Sequence, residues 1–156
     1  MRRASRFLAL SVLAALCLWA AGCSLPRIAV HDDPLSPAEH LQLGQAYEAK
    51  GEAEAAAREY ELAARRLPAA RLYLGNVRFG QGRLDQAEAA YREVIRTAPD
   101  NAEAYNNLAW LLYTRQEKLD EAEELAAKAV ALEPGRAAFR DTLEQVRRAR
   151  AGFSPG

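Results

Sequence analysis

The chain has 156 residues, of which 21 are basic and 21 acidic. Because Arg2, Arg3 and Arg6 precede the part expected to fold, the rest of the chain is weakly acidic, and charge gives no reason to expect a nucleic-acid partner. The length allows one domain and an appendage, and the abundance of alanine, leucine, glutamate and arginine favours helix throughout.

Residues 1–22 are predicted to be a signal peptide. A basic segment is followed by the apolar run Phe7 to Ala21, which is shorter than the about 20 residues that a helix needs to span a bilayer. The run ends in small residues directly before Cys23. This ending resembles the lipobox of bacterial lipoproteins, and the resemblance implies that Cys23 becomes the lipidated N-terminus. A plain secretory signal or an uncleaved anchor is the alternative interpretation.

Residues 23–35 are expected to form this lipidated N-terminus and a tether. The segment has no helical period and contains Pro26 and Pro34. As a flexible coil it would extend about 20 Å, so the folded domain would stay close to its membrane. Residue 24 is serine, whereas an aspartate there resembles an inner-membrane retention signal. The resemblance therefore favours the periplasmic face of the outer membrane.

Three segments of the remaining chain align with one another. Each contains a leucine followed by glycine or alanine, then an alanine that precedes a proline by 12 residues. The pairs are Leu43-Gly44, Leu74-Gly75 and Leu108-Ala109, the alanines are Ala56, Ala87 and Ala122, and the prolines are Pro68, Pro99 and Pro134. The proline intervals of 31 and 35 residues bracket 34. The pattern resembles the tetratricopeptide repeat, in which each repeat is a hairpin of two helices.

The resemblance implies an all-α fold, an α-solenoid of about three helical hairpins closed by a C-terminal capping helix. The repeats are placed at residues 37–68, 69–101 and 102–135, the capping helix at 136–151 and a tail at 152–156, so that the domain covers 36–151.

Capping patterns predict where several helices begin. Ser36 precedes Pro37 and lies three residues before Glu39, as in a capping box. The same spacing from aspartate to glutamate predicts further helix starts at Asp85, Asp100 and Asp120. Helix ends are predicted at Gly51, at Gly80 with Gly82, and at Pro134-Gly135. The glycine or alanine of each Leu-Gly or Leu-Ala pair is expected to let two helices approach closely.

In such a solenoid the first helix of each hairpin lines the concave face, so residues one step round from its core stripe are candidates for binding a peptide. The predicted groove residues are Gln45, Asn76, Phe79, Asn106, Trp110 and Tyr113. Aromatic rings supply contact area, and the asparagine amides suit a peptide backbone. The alternative for Trp110 and Tyr113 is packing between the third hairpin and the capping helix.

Some family members bind a C-terminal carboxylate through lysine, arginine and asparagine side chains. Here Leu41, Gln45 and Leu72 occupy the corresponding positions, so that ligand is not expected.

The sequence offers no catalytic residues, and no metal or cofactor is expected. His40 lies on a core-facing stripe, which indicates a structural histidine. The protein is therefore interpreted as a membrane-anchored, non-enzymatic adaptor for another protein or peptide, in the assembly of a pilus, secretion or outer-membrane complex. The alternative is a structural lipoprotein that associates with its own copy through groups such as Phe79 and Phe153.

Overall fold

The computed structural model describes residues 33–152. The predicted signal peptide, Cys23, the tether up to residue 32 and the tail from residue 153 lie outside the described residues. Contacts group the chain from Leu35 onward into one unit. Its buried hydrophobic residues run from Ala56 to Val146, so a chain that begins at Ser24 retains all of these core residues.

Seven helices follow one another within residues 33–152. They are α1 (Pro37–Ala49), α2 (Ala53–Ala64), α3 (Ala70–Gly80), α4 (Leu84–Thr97), α5 (Ala102–Arg115), α6 (Leu119–Leu132) and α7 (Ala137–Gly152). Each helix packs mainly on the next in sequence, and α5 also contacts α3 and α7. Short connections join α1 to α2, α3 to α4 and α5 to α6 as hairpins. The predicted all-α stack of three hairpins and a final helix is confirmed.

The start of α1 has the capping box that its sequence predicts. The Ser36 hydroxyl accepts a hydrogen bond from the Glu39 backbone N–H at 3.2 Å, and the Glu39 carboxylate accepts one from the Ser36 N–H at 2.7 Å. These two bonds satisfy N–H groups that the first helical turn leaves free.

The aspartates predicted to cap three later helices do not do so. Asp85 and Asp120 are the second residues of α4 and α6, whose N-cap residues make no side-chain cap bond. The start of α5 is capped by Asn101, one residue after Asp100, through a 2.8 Å bond from the Ala104 N–H to Asn101 Oδ1. The three helices begin within two residues of the predicted positions, but the capping role was wrong. The spacing from aspartate to glutamate also suits carboxylates on the first helical turn, where Asp85 and Asp120 pair with arginines.

Glycines allow close contact between the two helices of the first two hairpins. A Cβ atom added to Gly44 would lie 2.5 Å from Tyr60 Cε1, and one added to Gly75 would lie 2.6 Å from Tyr91 Cε1. Each tyrosine ring therefore occupies the space that a side chain on the facing helix would need, as expected from the Leu-Gly pairs.

The largest core cluster joins the second hairpin, the third hairpin and α7. Its members are Leu72, Ala87, Tyr91, Val94, Ala104, Leu108, Leu111, Leu112, Ala122 and Val146. Leu72, which was expected to face the groove, is only 8% exposed, so that expectation was wrong. Its position next to α5 is covered by the neighbouring hairpin. Phe139 of α7 packs in a separate cluster with Ala102 and Ala129. The last helix thus covers the apolar side of the third hairpin, as a capping helix must.

Candidate functional site

A cleft of about 180 Å³ lies between α3 and α5 and is floored by α4. Its lining consists of Asn76, Phe79, Tyr91, Asn107 and Trp110, and we call it the aromatic cleft. All five side chains are uncharged at neutral pH. The site therefore combines aromatic contact area with polar groups able to hydrogen-bond, the mixture typical of small binding sites.

A hydrogen-bond network fixes the orientation of Asn76. The Tyr91 hydroxyl and the Asn107 Nδ2 each donate to Asn76 Oδ1, both at 2.9 Å. Both bonds end on the oxygen, and the Nδ2 group of Asn76 makes no hydrogen bond to any residue within 33–152, so it is free to donate to a ligand. The acceptor that it suits is a backbone carbonyl oxygen.

Tyr91 is held in its protonated form. Burial of the hydroxyl raises the pKa of Tyr91 well above its ordinary value, and the nearby Glu103 carboxylate raises this pKa further. The phenol therefore stays protonated well into the alkaline range and donates its hydrogen bond to Asn76 Oδ1.

A second and larger depression lies beside the aromatic cleft, between the end of α5 and the exposed side of α7. It has a volume of about 710 Å³, and we call it the α5–α7 trough. The residues lining it are Tyr113, Gln116, Asp141, Glu144, Gln145, Arg148 and Ala149. Trp110 and Tyr113 connect the two depressions, since their ring centroids are 5.1 Å apart. We refer to the aromatic cleft and the α5–α7 trough together as the groove.

The structure brings together some of the predicted groove residues and separates others. Asn76, Phe79 and Trp110 line the aromatic cleft, and Tyr113 lines the trough. Tyr113 also packs against the main core cluster, as does Phe79. Tyr113 thus combines the two positions considered for it, next to the groove and next to α7.

Gln45 and Asn106 line neither depression. Gln45 is exposed on α1, in the first hairpin. Asn106 donates from Nδ2 to Asn107 Oδ1 at 3.3 Å, and its own Oδ1 is buried without a partner among the described residues. Its amide therefore supports the network around Asn107 and does not line the cleft.

Sequence reasoning missed two residues of the cleft, Tyr91 and Asn107. Asn107 lies three residues before Trp110, so the two side chains share a face of α5, and this spacing could have identified it. Tyr91 lies on α4, the second helix of its hairpin, whereas only first helices were considered for the groove. It is 2% exposed, but its hydroxyl reaches Asn76 at the floor of the cleft.

Several arginines form ion pairs away from the cleft, at the junctions between hairpins. The second residue of each of α2, α4 and α6 is acidic. It pairs with an arginine near the C-terminal end of the helix that follows the hairpin, which is α3, α5 or α7. These pairs are Glu54 with Arg83 at 3.2 Å, Asp85 with Arg115 at 2.6 Å, and Asp120 with Arg150 at 2.5 Å. Because these guanidinium groups already bind carboxylates, they are not placed to hold a carboxylate ligand in the aromatic cleft.

His40 is buried, and its Nδ1 lies 2.7 Å from Glu59 Oε2 between α1 and α2, which suits a structural role. Within residues 33–152 there is no group of three side chains that could hold a metal ion. None of the helices in that range is both long enough and apolar enough to cross a bilayer.

The repeat is similar to one found in a known protein family. A family model described as the tetratricopeptide repeat matches residues 72–137, which comprise most of the second and third hairpins and the start of α7. The fold is an α-solenoid of tetratricopeptide repeats (TPRs). No curated protein matches the sequence.

Solved structures of other TPR domains superimpose on this one. The first TPR of Spaghetti (RPAP3), bound to the HSP90 peptide SRMEEVD, has a TM-score of 0.70 at 19% identity and covers 78% of this chain and 98% of its own. The Sgt2 TPR domain from Aspergillus fumigatus has a TM-score of 0.68 at 19% identity, with coverage of 77% and 85%. The Arabidopsis OM64 TPR domain has a TM-score of 0.67 at 16% identity, with coverage of 72% and 94%. At these identities the likeness establishes the fold.

Proposed function

We propose that this TPR protein is a binding adaptor that holds a segment of a partner polypeptide in the groove. The observation that carries the proposal is the aromatic cleft, in which the free Nδ2 group of Asn76 lies beside Phe79 and Trp110. An extended segment could bury a side chain against the two rings while one of its backbone carbonyl groups accepts from Asn76.

The likeness to other TPR domains supports a peptide as the ligand. The RPAP3 domain was solved with a bound peptide, and its fold covers most of this chain. The cleft here is uncharged, so its ligand need not resemble that peptide in charge.

The proposal also includes a location. A lipid on Cys23, joined to the domain by the tether, would hold the groove at the periplasmic face of the outer membrane, where a partner in pilus, secretion or outer-membrane assembly would be within reach. The basic segment and apolar run before Cys23 support this location, and Ser24 favours the outer membrane.

Site-specific crosslinking in the native host tests the adaptor role. A photoreactive phenylalanine analogue at Phe79 should crosslink to a discrete partner, and the product should disappear when Trp110 is replaced by alanine. The same analogue at Glu124, an exposed residue of α6 that lines neither depression, is the control and should not capture that partner.

The outcome depends on which chain is captured. A crosslink from Phe79 to a second copy of this protein would favour the structural-oligomer alternative. Identical products from Phe79 and Glu124, or products that persist after Trp110→Ala, would contradict the adaptor proposal. Trp110→Ala must still unfold in a single cooperative transition, as expected for a partly buried side chain outside the buried clusters.

The anchor is tested by Cys23→Ser. The unchanged protein should fractionate with outer membranes and incorporate labelled fatty acid, and the variant should do neither. Lipid labelling of the variant would show that another residue carries the anchor.

A further inference from the structure

The polar residues of the groove indicate the chemical class of its occupant, and this inference rests on the proposed function. We propose that the occupant is an extended polypeptide segment that places an uncharged side chain in the aromatic cleft and a lysine or arginine against Asp141 in the α5–α7 trough.

The aromatic cleft selects for an uncharged side chain. None of its five lining residues carries a charge, and the two asparagines and Tyr91 already bond to one another. A charged ligand group placed between Phe79 and Trp110 would lose its water without gaining a counter-charge, which is costly. An aliphatic or aromatic side chain has no charge to desolvate, and it gains contact with both rings.

The trough carries the negative charge of the groove. Glu144 pairs with Arg148 on the same helix, so these two charges offset each other. Asp141 is exposed and, among residues 33–152, has neither an ion pair nor a hydrogen-bond partner for its carboxylate. Lining a depression without a counter-charge, Asp141 is placed to pair with a cation on the occupant.

The aromatic rings connect these two subsites. Trp110 lines the cleft, Tyr113 lines the trough, and their rings are in contact. A lysine or arginine that crosses this pair towards Asp141 would also lie against aromatic faces, which attract cations. An acidic residue in the same place would meet the unpaired Asp141 carboxylate.

The arginines of the domain do not offset this preference. Those at the hairpin junctions bind carboxylates of neighbouring hairpins, and Arg148 is paired within the trough. Arg140, on the first turn of α7, donates to the Pro134 carbonyl oxygen. A C-terminal carboxylate or an acidic segment therefore finds no free cation along the groove.

The test uses peptides selected from a phage-displayed library of random linear sequences on a chain that begins at Ser24. Trp110 is the one tryptophan that this chain retains, because Trp19 precedes Ser24, so its fluorescence reports occupancy of the aromatic cleft. Selected peptides should combine an aliphatic or aromatic residue with a nearby lysine or arginine and should be poor in acidic residues. Their binding should weaken as salt concentration rises.

A charge reversal then identifies the subsite. Asp141→Lys should weaken binding of these peptides about tenfold or more, and replacing the peptide's lysine by glutamate should restore part of the loss. Glu124→Lys on α6 makes the same change in net charge outside the groove and should change affinity by less than about twofold. Equal effects of the two reversals would overturn the inference, because the response would then be to net charge alone.

Failure of the inference can be distinguished from failure of the proposed function. If the selected peptides are acidic or require a free C-terminal carboxylate, yet lose binding in Trp110→Ala, the groove binds peptides and the assignment of Asp141 is wrong. If no selected peptide depends on Trp110, both proposals fail.

Discussion

Gly75 and Tyr91 fit against each other so closely that neither has room to change. A Cβ atom on Gly75 would lie 2.6 Å from Cε1 and 2.8 Å from Cδ1 of the Tyr91 ring. The ring cannot move aside freely, because its hydroxyl is bonded to Asn76 and it is buried between α3 and α5. The pair therefore fixes both the spacing of the hairpin and the floor of the aromatic cleft.

We expect Gly75→Ala to lower the free energy of unfolding by about 1 to 3 kcal/mol, since overpacking outweighs the gain in helix propensity. Gly80→Ala is the matched control on the same helix, because a Cβ there meets no atom within 4 Å. Chemical denaturation of both variants measures the difference. A loss in Gly80→Ala as large as that in Gly75→Ala would show that the cost comes from the helix backbone and not from the ring.

Burial of Tyr60 and Tyr91 makes stability sensitive to alkaline pH. Desolvation raises the pKa of each phenol above the ordinary value of 10.0, and for Tyr60 the bond to Glu48 raises it further. Above about pH 10 the unfolded chain loses these protons while the folded chain keeps them, so the free energy of unfolding falls as pH rises. Below that pH both states are protonated, and these groups cause no change.

We therefore expect the denaturant midpoint to be lower at about pH 11 than at about pH 8. Tyrosinate absorbance should show that these two of the six tyrosines ionise only as the domain unfolds. Ionisation of all six tyrosines while the circular dichroism of the folded state persists would contradict the assignment.

At the residue scale, sequence identifies side chains whose role depends on the local repeat. The glycines of the Leu-Gly pairs were expected to allow close approach, and Gly44 and Gly75 do so. The bond from Asn107 to Asn76 spans 31 residues and joins two hairpins. Such a contact depends on how one hairpin packs on the next, which no single repeat encodes.

The turn between α5 and α6 places two residues other than glycine in the left-handed backbone region. Gln116 and Lys118 both have positive φ, 54° and 49°, whereas the corresponding turns of the first two hairpins place Gly51 and Gly82 in that region. Residues with a Cβ pay a steric cost there that glycine does not. Each of the three turns has three residues between its helices, but the third hairpin has one more residue between its aligned leucine and alanine, Leu108 and Ala122, and this residue lengthens α5 before the turn.

We expect Gln116→Gly to raise the free energy of unfolding by about 0.5 to 1 kcal/mol, because glycine is favoured in the left-handed region at the end of a helix. Part of the gain is offset by loss of the bond from Gln116 Nε2 to the Tyr113 carbonyl oxygen. The converse variant Gly82→Ala, at a φ of 71°, should be destabilised. If denaturation shows that both substitutions raise the free energy of unfolding, or that both lower it, this account is contradicted.

Helix starts were predicted to within two residues throughout, but the capping side chain was predicted correctly only where the cap is local. Ser36 and Glu39 are three residues apart and bond only to each other's backbone, so the sequence pattern is sufficient. Asp85 has the same spacing to Glu88, but its carboxylate bonds to Arg115, 30 residues away on the next hairpin. Spacing within one helix does not distinguish a capping aspartate from one that pairs across a junction.

For the whole molecule, the fold follows from the repeat pattern, while the site depends on residues that the pattern does not specify. Prolines spaced by 31 and 35 residues were enough to predict three hairpins and a final helix. The depressions occur where the third hairpin meets its neighbours, and they depend on residues outside the aligned positions, such as Trp110 and Asn107. The chemical preference of the trough depends on α7, whose outer residues are not constrained by the repeat pattern.

The last helix should contribute heavily to the stability of the entire domain. A solenoid is stabilised by contacts between neighbouring repeats, and three hairpins are close to the minimum. Phe139 is 2% exposed against Ala102 and Ala129, and the Arg136 guanidinium lies 4.6 Å from the centre of its ring. Truncating this side chain removes the main anchor of the first turn of α7.

We expect Phe139→Ala to cost about 3 to 5 kcal/mol, a large part of the 5 to 15 kcal/mol typical of a whole domain. Gln145→Ala, at an exposed position of the same helix, should change stability by less than about 0.5 kcal/mol. Val146 of α7 belongs to the same core cluster as Tyr91, so loosening the helix should also disturb the aromatic cleft. The fluorescence emission of Trp110 in Phe139→Ala should therefore shift to longer wavelength at a lower temperature than the loss of helical circular dichroism. If Trp110 emission and helical circular dichroism instead change together at one midpoint, α7 unfolds cooperatively with the rest of the stack.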